Sequence, residues 1–164
     1  MKLWAKAGIV IIALVTELAL ANILKFNIIK PDLMLIVVIC LSFISGTEEG
    51  VIVGFVGGLL KDIFSVHLLG INALVKTLIG FLAGVIREKI FSQHLMWVVT
   101  IFTFIFTFIN NLIIYLLLNA LQSNYDFAVI LKGFYLNQAI INSLLAPFIF
   151  TGIKKIFLYL NRWS

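Results

Sequence analysis

Six apolar runs, each separated from the next by a few polar residues, make up most of this chain. They cover residues 3–24, 33–45, 50–64, 69–86, 95–121 and 134–153. Crossing bilayer hydrocarbon takes about 20 helical residues. The first, fourth and sixth runs suit that length, and the fifth exceeds it and is expected to tilt or protrude. The second and third are short and are joined by Gly46-Thr47-Glu48-Glu49. They read as two short, protein-buried spans or as one re-entrant hairpin. Two spans are preferred, because helices screened from lipid by neighbours tolerate mismatch. The predicted helices then cover about 3–24, 31–46, 48–65, 69–88, 94–121 and 127–160, with the last span at about 134–153. This is an all-α, six-span, single-domain integral membrane protein with both termini on one side.

A finer period lies inside two of the runs. Gly50, Gly54, Gly58 and Asp62 recur at every fourth residue of the third, and Asn72, Lys76, Gly80 and Gly84 do so in the fourth. Such spacing keeps the positions in one stripe of a helix, and glycine lets a second backbone come close. The carboxylate ending the first stripe is costly in lipid and calls for a partner. Asp62 is expected to fix depth and register. Gly54 and Gly58 are expected to pack closely, against a partner protein or against another helix of the same chain.

Glu17 lies seven residues before the end of the first helix and Lys76 seven after the start of the fourth, ends that share one side in an alternating topology, so both sit about 10 Å inside the membrane. An intramembrane Glu17–Lys76 pair is therefore predicted, with Asp62 able to join it. Asn137, Gln138 and Asn142 enter the same half from the sixth helix, and Asn110 and Asn111 sit nearer the middle of the fifth. Amides of this kind bind helices together; the alternative is a polar cavity, open outward, for a small molecule. Pro147 is expected to kink the last helix, and residues 156–163 to lie in the headgroup layer.

Composition narrows the class. Of 164 residues, 63% are hydrophobic and 12% charged, too much apolar surface for a soluble domain of this size to hide. The net charge of +5 comes from scattered residues rather than a basic run, so nucleic acid is not indicated. With the N-terminus inside, Lys2, Lys6, Arg87, Lys89, Lys154, Lys155 and Arg162 are cytoplasmic, against Lys25, Lys30, Lys61 and Lys132 outside. That imbalance places both ends in the cytoplasm. Lys2 and Lys6 before an apolar run ending in Ala19-Leu20-Ala21 imitate a signal peptide, but Glu17 interrupts the run and its length suits a span. Cys40 has no second cysteine to pair with, and His67 and His94 form no zinc pattern. No serine has a neighbouring base pattern, and there is no H-E-x-x-H, phosphate loop or flanked nucleophile elbow. Glu48-Glu49 reads as a solvated turn. No catalytic residue, cofactor or metal is expected.

Lys30-Pro31-Asp32-Leu33 opens the second helix. Gly50, Gly54, Gly57, Gly58, Leu59-Leu60 and Asp62 follow in the third, then Leu69-Gly70, and later Asn142 with Pro147. Together with the length and the basic tail, these residues resemble the bacterial rod shape-determining protein MreD family. Lys61 and Lys76 depart from the family pattern. The resemblance implies a component of the peptidoglycan elongation machinery in the cytoplasmic (inner) membrane. It would associate with MreC, a single-span protein, alongside RodA, a class B penicillin-binding protein and, indirectly, MreB. It also implies a fold like the six-helix S component of energy-coupling-factor transporters.

Three functions follow, in order of preference. The first is a non-enzymatic scaffold for rod cell shape, embedded in the lipid bilayer. The second is an S-component-like vitamin-binding subunit of a transporter. Against it, the alanines of the first helix lack the spacing of four that would dock a coupling subunit. The third, an intramembrane enzyme, has no constellation to support it.

Overall fold

A computed structural model describes residues 3–23, 30–64, 69–89, 95–121 and 134–161, and the regular structure among them is entirely helical. Six helices follow in order: α1 (Leu3–Ile23), α2 (Leu33–Ser45), α3 (Thr47–Phe64), α4 (Ile71–Lys89), α5 (Leu95–Leu121) and α6 (Phe134–Asn161). Lys2, Lys25, His67, His94, Lys132 and Arg162, named above, lie outside the described residues.

The centre of the molecule is α2, because it is the helix with no polar face. Asp32, just after Pro31, caps it by accepting from the backbone N–H of Leu35 at 2.9 Å. All ten residues from Met34 to Phe43 are buried, as expected of a helix that is apolar all round. Its 13 residues rise only about 20 Å, short of the roughly 30 Å of hydrocarbon. α1, α3, α4, α5 and α6 all pack against it. Gly46 ends the helix at φ 96, its N–H bonded to the Ser42 carbonyl at 2.9 Å. This left-handed position suits glycine, and it turns the chain directly into α3.

Side-chain pairs fix the directions of the first four helices. Lys6 near the start of α1 is bonded to Glu49 at the start of α3. Thr47 Oγ1 donates to Glu88 Oε1, at the end of α4, at 2.5 Å, and Arg87 Nε donates to the Phe43 carbonyl at 2.9 Å. Successive helices therefore alternate in direction. The chain continues as a pair, α5 against α6, with Phe102 stacked between Phe43 and Phe106 at centroid distances of 6.0 and 5.8 Å. α6 runs on through Pro147 to Asn161 as one helix.

Two stretches, Met96–Ala120 and Leu136–Leu160, are clearly long and apolar enough to cross a membrane. The outward surface carries Ile52, Phe55, Val56 and Leu59 on α3, Trp97, Ile101 and Phe108 on α5, and Leu144 and Phe148 on α6, all exposed. In water a patch of this extent would drive association; against lipid it is the ordinary face of a helix.

Candidate functional site: a glycine seam and a buried ionic cluster

The glycine stripe of α3 lies against the stripe of α4, and this is the most extensive helix contact in the chain. A Cβ built on Gly50 would collide with the Gly80 carbonyl, and one on Gly54 with the Lys76 carbonyl. At Gly58 it would stand 2.5 Å from the Ala73 Cα and the Asn72 oxygen. Gly84 meets Thr47 in the same way. Gly57 is turned aside toward α2, where a Cβ would lie 2.7 Å from the Met34 Sδ. Of the two alternatives left open by the sequence, the geometry is the internal one: the stripe is consumed within the chain. Gly70 is not part of the close packing: it stands at φ 100 just before α4, and a Cβ there would meet nothing within 4 Å.

Asp62 ends the seam as a cap for a neighbouring helix. The N-terminus of α4 begins at Gly70, which has no side chain to accept from the first free N–H groups. The Asp62 carboxylate reaches across and accepts from the N–H groups of Gly70 (3.0 Å), Asn72 (3.1 Å) and Ala73 (3.0 Å), and from Asn72 Nδ2 (2.9 Å). The positive end of the helix dipole favours a carboxylate there.

Beside it is a cluster of four charges from four helices. Asp32 Oδ2 accepts from Lys61 Nζ at 2.7 Å and Lys76 Nζ at 2.9 Å. Glu17 Oε1 accepts from Lys61 at 2.7 Å, and its Oε2 accepts from the Met34 N–H at 3.0 Å. Lys76 also donates to Asn72 Oδ1 at 3.3 Å and is wholly buried. The expected Glu17–Lys76 pair is thus corrected: Lys76 is held by Asp32 and Glu17 by Lys61, while Asp62 caps α4 and meets Lys76 through the Asn72 side chain. The reason is position. Asp32 sits at the capping end of the central helix, nearer to α4 than α1 can come. The four side chains sum to zero charge, as desolvated ions must to be tolerated.

An amide ladder extends the cluster to the α5–α6 pair. Asn142 Oδ1 accepts from the Asp32 N–H at 3.0 Å, while its Nδ2 donates to Thr107 Oγ1 at 3.2 Å. Asn110 Nδ2 donates to Asn111 Oδ1 (3.1 Å), Asn111 Nδ2 to Gln138 Oε1 (2.7 Å), and Gln138 Nε2 to the Lys30 carbonyl (2.6 Å). Asn137 is not brought in; it faces outward and is exposed, a helical step away from the buried side.

Asp32 and Lys61 are the members that sequence reasoning missed. In the sequence Asp32 stands out only as part of the opening of a helix, and Lys61 as one of the external basic residues. A cue existed: Gly57 and Lys61 also stand four apart, forming a second stripe that faces α2 rather than α4.

These interactions build a rigid body and assemble no nucleophile with a base. The model of a family described as rod shape-determining protein MreD matches residues 3–156. The chain belongs to the MreD family. The match spans the seam, the Asp62 cap and the whole ionic cluster. MreD proteins are membrane proteins with a role in rod shape determination, and theirs is not a known enzyme family. No curated protein and no solved structure matches the chain.

Proposed function

We propose that this MreD-family chain crosses the bacterial cytoplasmic membrane six times, with both termini in the cytoplasm and an overall arrangement like that of an S component. It acts as a non-enzymatic scaffold of the peptidoglycan elongation machinery. It holds MreC and, through the assembly, RodA and the class B penicillin-binding protein, with MreB reached indirectly.

The carrying observation is that the small residues of the seam and the buried charges are spent inside the fold. Such a body keeps its shape and meets its surroundings through apolar outward faces. Partner helices would be gathered by close packing and interhelical hydrogen bonds within the bilayer. Family membership supports the cell-shape role. The transporter-subunit alternative is less well supported, because the Asn111, Gln138 and Asn142 amides it would use to hold a ligand are bonded within the fold, leaving Asn110 Oδ1 as the buried amide oxygen without a partner among the described residues.

Two measurements test the scaffold. Depletion in a rod-shaped host is expected to give rounded cells. Alanine at Phe55, Phe108 or Phe148, one on each outward face, is expected to leave the yield of folded protein unchanged, while at least one of the three lowers the MreC recovered with it. Rod-shaped depleted cells and undiminished MreC recovery in all three variants would reject the proposal.

A further inference from the structure

Among the grooves of the outward surface, one runs between α1 and α6. At the end bearing the start of α1, a cleft of about 480 Å³ lies between Trp4, Gly8 and Ile12 on one wall and Lys155, Ile156 and Tyr159 on the other. It continues through the shared Ile9, Ile12 and Ile156 into a further 260 Å³ that reaches Thr16, Val37 and Gly152. Unlike the seam glycines, Gly8 and Gly152 have nothing within 4 Å of where a Cβ would stand. The walls are almost wholly apolar.

Charge marks one end of this cleft. Lys155 lines its mouth and is exposed; its chain neighbour Lys154, also exposed, projects about 100° further round α6, on the side away from the cleft. Among the described residues neither forms an ion pair, whereas Lys6, on α1, is held by Glu49. Trp4 and Tyr159 flank the mouth, 65% and 67% exposed, as aromatic side chains do at the headgroup level. From Trp4 to Thr16 the cleft runs about 18 Å along α1, close to the hydrocarbon depth of one leaflet, half of about 30 Å.

We propose that the α1–α6 cleft binds one anionic phospholipid from the leaflet at this end, with an acyl chain along the apolar walls and the phosphate against Lys155. A helix with its side chains is about 10–12 Å wide and does not enter the inner 260 Å³, but a single hydrocarbon chain does. Lys155, without an ion pair among the described residues, selects a negative headgroup over a zwitterionic one. The site rests on the preceding reading only in placing these helix ends at a membrane interface. A scaffold that held MreC without retaining this lipid would leave that reading intact.

Native mass spectrometry of the purified chain with phosphatidylglycerol and phosphatidylcholine of identical acyl chains tests the site. The expected result is a one-to-one adduct favouring phosphatidylglycerol by about fivefold. Lys155→Gln should remove the preference while keeping an adduct, and Lys154→Gln should leave the preference in place. Gly152→Leu, which fills open space, should reduce both adducts several-fold. If that variant does not fold, Gly8→Leu fills the cleft from the opposite wall and should have the same effect. In cells, a benzophenone side chain introduced at Gly8 should yield a lipid-mass adduct. Equal retention of the two lipids, adducts unaffected by filling the cleft, or a cross-link to a polypeptide instead of a lipid would each overturn the proposal.

Discussion

At the residue scale, the decisive feature is the neutrality of the four-charge cluster. Removing one partner of a buried pair strands the other, at a cost of about 3–5 kcal/mol, whereas removing a matched pair is often near neutral. Lys76→Met leaves Glu17, Asp32 and Lys61 with one excess negative charge, and Asp32→Asn leaves one excess positive. The double variant Asp32→Asn/Lys76→Met keeps the balanced Glu17–Lys61 pair and the capping side chain at position 32. It is expected to unfold at a higher temperature in detergent than either single variant, with Lys76→Met the least stable. If the double variant is no more stable than Lys76→Met, the pairing assigned here is wrong. That an acid and a base would meet in this membrane half was legible from depth alone. Which acid meets which base was not, because counting residues to a helix end gives a level and no lateral neighbour.

At the element scale, α3 and α4 are joined backbone to backbone. Their four-residue stripes in the sequence announced a close helix contact without saying whose. The structure supplies the partner: a one-residue turn at Gly46 and the Asp62 cap bring the two stripes into register. Gly58→Ala places a methyl group against the Asn72–Ala73 backbone, and overpacking of that kind costs about 1–3 kcal/mol. Gly152→Ala meets open space and gains helix propensity, up to about 1 kcal/mol. Thermal unfolding of the two variants is expected to move in opposite directions. Equal shifts would mean that the seam is not packed as described. The short α2 was equally ambiguous on paper, since 13 apolar residues suit a buried helix or half a hairpin. Its place beneath five neighbours follows from having no face that gains by exposure.

At the scale of the whole molecule, the pairs Lys6–Glu49 and Thr47–Glu88 collect one set of helix ends, and the ionic cluster collects the other. The single cysteine, Cys40, is wholly buried, so an introduced thiol can be read with little background. With the proposed topology, Glu48→Cys and Lys155→Cys should react with an impermeant maleimide only after the cytoplasm is opened, and Lys30→Cys in intact cells. Labelling of Lys30→Cys and Glu48→Cys from one side would reject the alternation across the membrane. The basic-residue imbalance behind this orientation does not lean on Lys61: with that side chain committed to Asp32 and Glu17, the outer set falls to three, Lys25, Lys30 and Lys132, against seven.

The sequence by itself determined the helical class, the membrane setting, the approximate helix limits and the presence of a glycine-lined contact. Each of these depends on local composition and period, which a single segment carries. The tertiary structure alone decided that the contact is internal, that Asp32 and Lys61 complete the cluster, that Asn137 stays outside it, and that α1 and α6 leave a cleft. Those outcomes depend on lateral neighbours, and a chain folded on itself chooses them by matching backbone approach and charge between segments far apart in sequence.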